Sequence, residues 1–281
     1  MTRSGGTQST PTYVFALSQE AQRLEQQGHF LAPFTRRVLE DAGISSGMKV
    51  LDIGCGAGDV ALLLAELVGP KGTIVGVDRN PAILEIAWQR VQAAGVPNVS
   101  FVHGDILASA VDDDFDAAVG RLVLVHTSDP VALLRQVRTH VRPGGVVVFQ
   151  EPDHTHSIAT EPRASLFEQA WGWWVEATRQ AGLERQMGLK LFGMFVEAGL
   201  PAPEMRLERA MGGGPAWGGY DHLASLVRGL LPRIVQGEIA TADEVAIETL
   251  AQRLRDEVVS QRGVVMGLSL VSAWTRTRTR T

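Results

Sequence analysis

Three glycines, Gly54, Gly56 and Gly58, follow the apolar run Val50-Leu51-Asp52-Ile53, and an acid, Asp78, stands 20 positions beyond the last of them (78 − 58). Glycine opens positive φ and removes the Cβ that keeps a ligand away from the main chain. Such a turn suits close approach of backbone N–H groups to an adenosine-containing cofactor. An acid at that spacing suits the two ribose hydroxyls. Further on, Gly120-Arg121-Leu122-Val123-Leu124-Val125-His126 and Gln150-Glu151-Pro152-Asp153-His154-Thr155-His156 set imidazoles and carboxylates after apolar runs. In an α/β sheet such positions lie at the carboxyl ends of strands, where ligands bind. His126 is the first candidate to accept a proton near neutral pH, with His154 beside it. Glu151 and His154 are expected to line the entrance to the site, and Arg121 to support the cofactor or its loop. Cys55 has no general base in its motif and reads as a small structural residue of the turn. His154 and His156 point to opposite sides of an extended segment, so they make a poor ligand pair and no metal is expected.

These residues need elements to hold them. Strand-like runs at Lys49 to Ile53, Thr73 to Val77, Val99 to His103, Phe115 to Val119 and Val146 to Gln150 alternate with helical runs at Asp59 to Val68, Pro81 to Ala94 and Pro130 to Val141. Right-handed crossovers that return each strand to the same end require a parallel sheet with helices on both faces. Ahead of the first strand the sequence predicts a helix from Tyr13, a break at Gly28 and a second helix over Phe34 to Ala42. After Glu151 the rhythm turns helical, at Pro162 to Gly182 and Gly188 to Ala198. A strand near Glu204 to Met211, a glycine-rich loop, helices at Asp221 to Gln236 and Thr241 to Arg262, and a strand from Val264 to Trp274 follow. The expected organisation is a disordered start (1–12), N-terminal lid helices (13–46), a cofactor-binding core (47–153), a helical cap inserted after the fifth strand (154–203), and C-terminal strands and helices (204–281). Helical aromatics serve either as core or as a ligand wall. A cap needs little core of its own, so Trp173, Trp174, Met194 and Trp217 are expected among the contacts to a planar, apolar substrate.

Of the 281 residues, 26 are Lys or Arg and 31 are Asp or Glu, a net charge of −5, and no basic stripe tracks a phosphate backbone. Nucleic acid is therefore not an expected partner. The single cysteine leaves no disulfide framework and no Cys-rich metal site, and fits a reducing cytoplasm. Met1 to Pro11 does not resemble a secretory signal, and no apolar run reaches the roughly 18 residues of a membrane span. A cytoplasmic protein is expected, with a small-molecule substrate as its partner and a homodimer left open. The alternating Thr-Arg tail from Thr275 reads as a frayed, solvated end.

The motifs Leu51-Asp52-Ile53-Gly54-Cys55-Gly56-Ala57-Gly58, Gly76-Val77-Asp78, Gly104-Asp105-Ile106 and Arg142-Pro143-Gly144-Gly145, in that order over Gly47 to Pro152, resemble those of class I S-adenosylmethionine-dependent methyltransferases. The resemblance implies a Rossmann-like α/β fold whose seven-stranded, mostly parallel sheet ends in an antiparallel strand. It implies backbone contacts from Gly54, Cys55, Gly56 and Gly58 to the methionine moiety of S-adenosyl-L-methionine. Asp78 would meet the ribose and Asp105 the adenine amino group, with Arg79, Gly104 and Ile106 also among the cofactor contacts. Asp52 serves either the ligand or the loop N–H groups, and Arg121 and Gln27 complete the expected cofactor contacts. Tyr13-Val14-Phe15, Ser18, Glu20, Arg23-Leu24 and Gln27 resemble the N-terminal helix of a subgroup that includes ubiquinone, menaquinone and actinobacterial natural-product methyltransferases, in which that helix folds over the cofactor. By that resemblance Tyr13 and Gln27 close the pocket, with Tyr13 also a candidate proton acceptor and substrate contact; otherwise Tyr13 is an ordinary half-buried aromatic. The expected reaction is methyl transfer to a C, N or O nucleophile of a small aromatic or heterocyclic secondary metabolite, indole compounds included. The alternatives are an NAD(P)-dependent oxidoreductase, disfavoured by the 54/56/58 spacing and by Gly104-Asp105, and a catalytically silent cofactor-binding partner, disfavoured by the intact motifs.

Overall fold

The computed structural model describes residues 17–106, 114–155 and 158–278. Tyr13, His156, the first twelve residues and the end of the Thr-Arg tail lie outside them. Strands β1 (Lys49–Ile53), β2 (Thr73–Asp78), β3 (Val99–His103), β4 (Phe115–Arg121) and β5 (Val141–Asp153) pair in parallel in the order β3-β2-β1-β4-β5. Helices α2 (Asp59–Val68), α3 (Pro81–Ala93) and α4 (Pro130–His140) make the crossovers. Asn80 and Asp129 cap the last two, each accepting a first-turn N–H ahead of a proline whose missing N–H costs nothing there. Neighbouring strand residues go to opposite faces. Val50, Ile74, Val146 and Val148 pack under α2, whereas Leu51, Val77, Val147 and Phe149 pack under α4. Both faces are thus covered, as a parallel sheet requires.

β8 (Val264–Arg276) pairs antiparallel with β5, and β7 (Glu204–Gly212) pairs antiparallel with β8. The sheet has eight strands rather than the expected seven. The extra one, β6 (Ala159–Glu161), shares partners Val265 and Met266 with β7, so it lies on the opposite edge of β8 and prolongs the β5 side. The Thr-Arg tail is not frayed where it is described. Thr275 and Arg276 pair with Val147 and Val146, and the Thr277 hydroxyl donates to the Arg142 carbonyl at 2.7 Å.

The break expected at Gly28 does not occur, and α1 (Leu17–Asp41) runs through it as one helix. A Cβ at Gly28 would stand 2.2 Å from the Asp59 carboxyl carbon, so this glycine is the point where α1 seats on the start of α2. Beyond β6 lie α5 (Ser165–Gln180), α6 (Met187–Glu197) and α7 (Gly219–Gln236). The single helix expected over Thr241 to Arg262 is two, α8 (Ala242–Val245) and α9 (Ile247–Ser260), broken by Ala246 at φ 42°. Helices α5, α7 and α9 enclose their own apolar core, which contains Phe167, Trp173, Tyr220, Leu230 and Leu254. Among the described residues no helix is long and apolar enough to cross a membrane.

Candidate active site

At the carboxyl ends of β1, β2 and β4, with α1 and the cap facing them, the chain encloses a cavity of about 910 Å³. That is near the upper end of the roughly 300–1,000 Å³ of small-molecule sites. The glycine turn forms one wall. Gly54 and Gly56 have φ of 61° and 51°, and a Cβ on Gly54 would meet Val123 Cγ2 at 2.7 Å. The Gly56 N–H donates to Asp78 Oδ2 at 2.9 Å, and the Asn80 N–H to Asp78 Oδ1 at 2.9 Å. The cap of α3 is therefore Asn80. The Asp78 carboxylate is fixed at the rim with lone pairs to spare. Arg90 reaches across to the Ala57 carbonyl at 2.6 Å and to Asp59 at 2.8 Å, tying the far side of the turn.

Asp52 is 1% exposed, and its Oδ2 has no hydrogen-bond partner. Burial pushes its carboxyl up to about 8; Arg121 opposes that shift, and Asp78 and Asp59 add to it. Arg121 donates to Thr35 Oγ1 at 3.3 Å, and Thr35 donates to Gln150 at 2.8 Å, so the guanidinium also ties α1 to the sheet. Arg79 and Asp105 face the cavity as an ion pair of 2.7 Å, beside Gly104 and Ile106. Cys55 lines the cavity as a buried thiol, raised well above its ordinary value of 9.0 chiefly by burial, and so is no nucleophile at neutral pH. From α1, Arg23 and Gln27 reach the cavity as a hydrogen-bonded i, i+4 pair at 2.8 Å.

His126 closes a single 3₁₀ turn, Leu124–His126, and faces the cavity. Burial, and secondarily the Arg23 charge, hold its imidazole down to about 4, so it is neutral at pH 7. His154 also lines the cavity, likewise held to about 4 by burial, its ring 4.7 Å from Trp174 in an edge-to-face contact.

Several expected contacts are elsewhere. Glu151 is 0% exposed and does not line the cavity. Its Oε1 accepts the N–H groups of Val123 and Leu124 at 2.9 and 2.8 Å, and its Oε2 that of Val125 at 3.3 Å, so it anchors the segment that presents His126. Gly58 turns the chain into α2, and a Cβ there would meet Ala87 at 3.3 Å, on the side away from the cavity. Of the four aromatic and thioether contacts expected from the cap, Trp174 alone lines the cavity. Trp173 belongs to the cap core and Met194 to the core under Phe149. Trp217 stacks on Phe167 at 6.1 Å and fills the space that a side chain on Gly212 or Gly219 would take. Trp173 and Trp217 are taken up by the core that α5, α7 and α9 bury between them, and Met194 by the core of the sheet. Lining residues that sequence reasoning missed include Arg23, Asp59, Thr178 and Arg185. The i, i+4 spacing of Arg23 and Gln27 was the available signal for one of them; Arg185, between two helices, carried none.

Residues 44–186 match a family model described as a methyltransferase domain. The chain belongs to this family. A curated relative, the demethylmenaquinone methyltransferase of Staphylococcus aureus, is 31% identical over 137 residues, which cover 48% of this chain and 53% of that protein. The chain spans about half the length of the curated relatives it matches. Among solved structures, phosphoethanolamine N-methyltransferase 2 of Haemonchus contortus in complex with S-adenosyl-L-methionine superposes with a TM-score of 0.58 at 15% identity, covering 98% of this chain and 61% of that one. The cyclase SpnF superposes with a TM-score of 0.53 at 19% identity, covering 89% and 82%. These two likenesses establish the Rossmann-like fold alone, and a cyclase on the same scaffold illustrates why function must be argued from the site.

Proposed function

We propose that this family member transfers the methyl group of S-adenosylmethionine to a small organic acceptor, with cofactor and acceptor sharing the one cavity. The observation that carries the reading is the continuity of that cavity, from the Gly54–Ala57 turn, Asp78 and Asp105 at one end to His126, His154 and Trp174 at the other. Its residues fit the cofactor. The partnerless, buried Asp52 Oδ2 suits the methionine ammonium, the side-chain-free turn suits close backbone approach, and the remaining lone pairs of Asp78 suit the ribose hydroxyls. Asp105 would accept from the adenine amino group while still held by Arg79. When bound, S-adenosylmethionine supplies an electrophilic methyl on a sulfonium that carries its own leaving group. The chain is then left to align the acceptor and exclude water, effects that reach roughly 7–11 kcal/mol. The first half of α1, with Arg23 and Gln27, serves as the cover in this reading. Trp174 favours a planar, aromatic or heterocyclic acceptor.

Calorimetry tests the cofactor and its seat together. S-adenosylhomocysteine should bind and NADH should not. With its carboxyl at about 8, Asp52 is largely protonated at pH 7 in the free protein. An arriving ammonium favours the carboxylate, so binding should release up to one proton, read from the dependence of the heat on buffer ionisation enthalpy. Asp52→Asn should abolish that release. NADH binding in place of S-adenosylhomocysteine would replace this reading with the oxidoreductase.

In this reading the neutral imidazole of His126, a lining residue of the cavity, accepts a hydrogen bond, and finally the proton, from the acceptor's nucleophilic group. His126→Ala should lower single-turnover rates by about a hundredfold, the lower end of acid–base contributions. Full retention of the rate would remove His126 from the chemistry.

A further inference from the structure

The cap-side wall of the cavity holds a cation that the mechanism above leaves unused. Arg185, in the connection between α5 and α6, lines the cavity, and none of the described carboxylates forms an ion pair with it. Its guanidinium makes one long bond, from Nη2 to the His154 carbonyl at 3.5 Å, its buried Nε has no partner, and its own carbonyl accepts the His154 N–H at 2.8 Å. The nearby acids hydrogen-bond elsewhere, and Arg185 only adds to the charges that hold the Glu176 carboxyl down. Glu184 pairs with Lys190 and accepts the Gln186 N–H; Asp153 accepts the N–H groups of Thr155 and Leu189; Glu176 pairs with Arg179. Beside the guanidinium, two lining side chains more than nine-tenths buried also carry a polar atom without a partner, His154 at Nδ1 and Trp174 at Nε1. Leaving such groups unpaired costs free energy that a bound oxygen acceptor would recover. Leu183, Leu226 and Leu268 line the same cavity with Thr178 and Glu184 as polar neighbours, and Trp171, outside the lining, backs the Trp174 ring at 5.0 Å.

We infer that the methyl acceptor is a monocarboxylic acid with a flat apolar body, its carboxylate held by Arg185 with Trp174 Nε1–H and His154, and its body against Trp174 and the lining leucines. The inference rests on the methyltransferase reading for the word acceptor, but the subsite stands on this wall alone. One fixed positive charge with two neutral partners matches a single negative charge; a phosphate dianion would lack a second cation. A guanidinium beside a carboxylate is also the strong, charge-assisted form of hydrogen bonding.

The test uses 2-naphthoate and its uncharged isostere 2-naphthamide, titrated calorimetrically into the full chain with and without saturating S-adenosylhomocysteine. The acid should bind about tenfold more tightly than the amide, the scale of a hydrogen bond gaining an ionised partner. Arg185→Gln should erase that preference while the melting temperature shows the variant folded. Trp174→Phe, which keeps a ring and removes only the N–H donor, should weaken the acid by about threefold and so serves if Arg185→Gln does not fold. Equal binding of acid and amide, binding of neither, or an unchanged preference in the variants overturns the inference. A missing S-adenosylhomocysteine isotherm with the acid preference intact overturns the methyltransferase reading instead.

Discussion

Gly54→Val is expected to lose S-adenosylhomocysteine binding by about a hundredfold or more, with the sheet still folded. Gly54 sits at φ 61°, and an added Cβ would lie 2.7 Å from Val123 Cγ2. A left-handed conformation costs a branched residue about 1–2 kcal/mol, and overfilling a packed contact about 1–3 kcal/mol. A turn that relaxes in the free variant must be restored for binding, so at about 1.4 kcal/mol per tenfold the two costs together reach two orders of magnitude in affinity. Relief by moving Val123 would displace the segment that carries His126, so either route damages the cavity. Gly56→Ala makes the useful contrast. Its Cβ would meet only Leu24 Cδ1, at an ordinary 3.6 Å, so it bears the backbone cost without the overlap and should bind better than Gly54→Val. Calorimetric affinities for both variants decide it, and wild-type binding by Gly54→Val would remove the close-approach argument.

Glu151→Ala should destabilise the fold by about 3 kcal/mol or more, since three N–H donors lose their acceptor and each unsatisfied buried group costs about 1–3 kcal/mol, less whatever entering water recovers. Denaturant melts measure this, and a loss under about 1 kcal/mol would mean that the Val123–Val125 amides find other partners. Glu151→Gln should lose far less. Its carbonyl oxygen can keep the two short bonds from Val123 and Leu124, and only the 3.3 Å bond from Val125 meets an N–H₂ group. The variant also isolates a pH effect. Burial pushes Glu151 up to about 7 from an ordinary 4.5, the three N–H bonds opposing. Between those values the folded state binds more protons than the unfolded chain, so this residue's contribution to stability falls as pH rises through that window. Asp52, raised to about 8 from 3.8, acts in the same direction. Glu151→Gln should therefore flatten part of the decline and leave the share that belongs to Asp52. An unaltered profile would show that Glu151 does not titrate in that range.

The cavity lining around the glycine turn was legible because its residues are local in sequence. Gly54, Gly56 and Asp105 lie in short turns after strands and Asp78 ends one, and hydrophobic runs alone placed those strands to within a few residues. The acceptor end depends on distance and phase. Trp173 and Trp174 are neighbours and both pack in the cap core, yet one helical step leaves only the second also lining the cavity. Glu151 was visible as an acid at a strand end, but its work is done on amides 26 to 28 positions earlier in the chain. Gly28 read as a helix breaker because sequence shows the propensity cost of glycine and hides the neighbour, Asp59, that makes its bareness useful.

The seating of α1 and β8 bears on how this chain can be divided. Val38 and Leu39 from α1 are buried with Val50 and Leu64, and eight residues of β5, Val146 to Asp153, are paired along one edge by β8. Both elements fall outside the stretch that matches the family, residues 44–186. Excised at those bounds, the stretch would bare apolar surface over one face of the sheet and leave a long unpaired strand, a template for aggregation. The family signature here marks a cofactor cradle and not an autonomous folding unit, so a chimaera that grafts it onto a relative must carry α1 and β8 along.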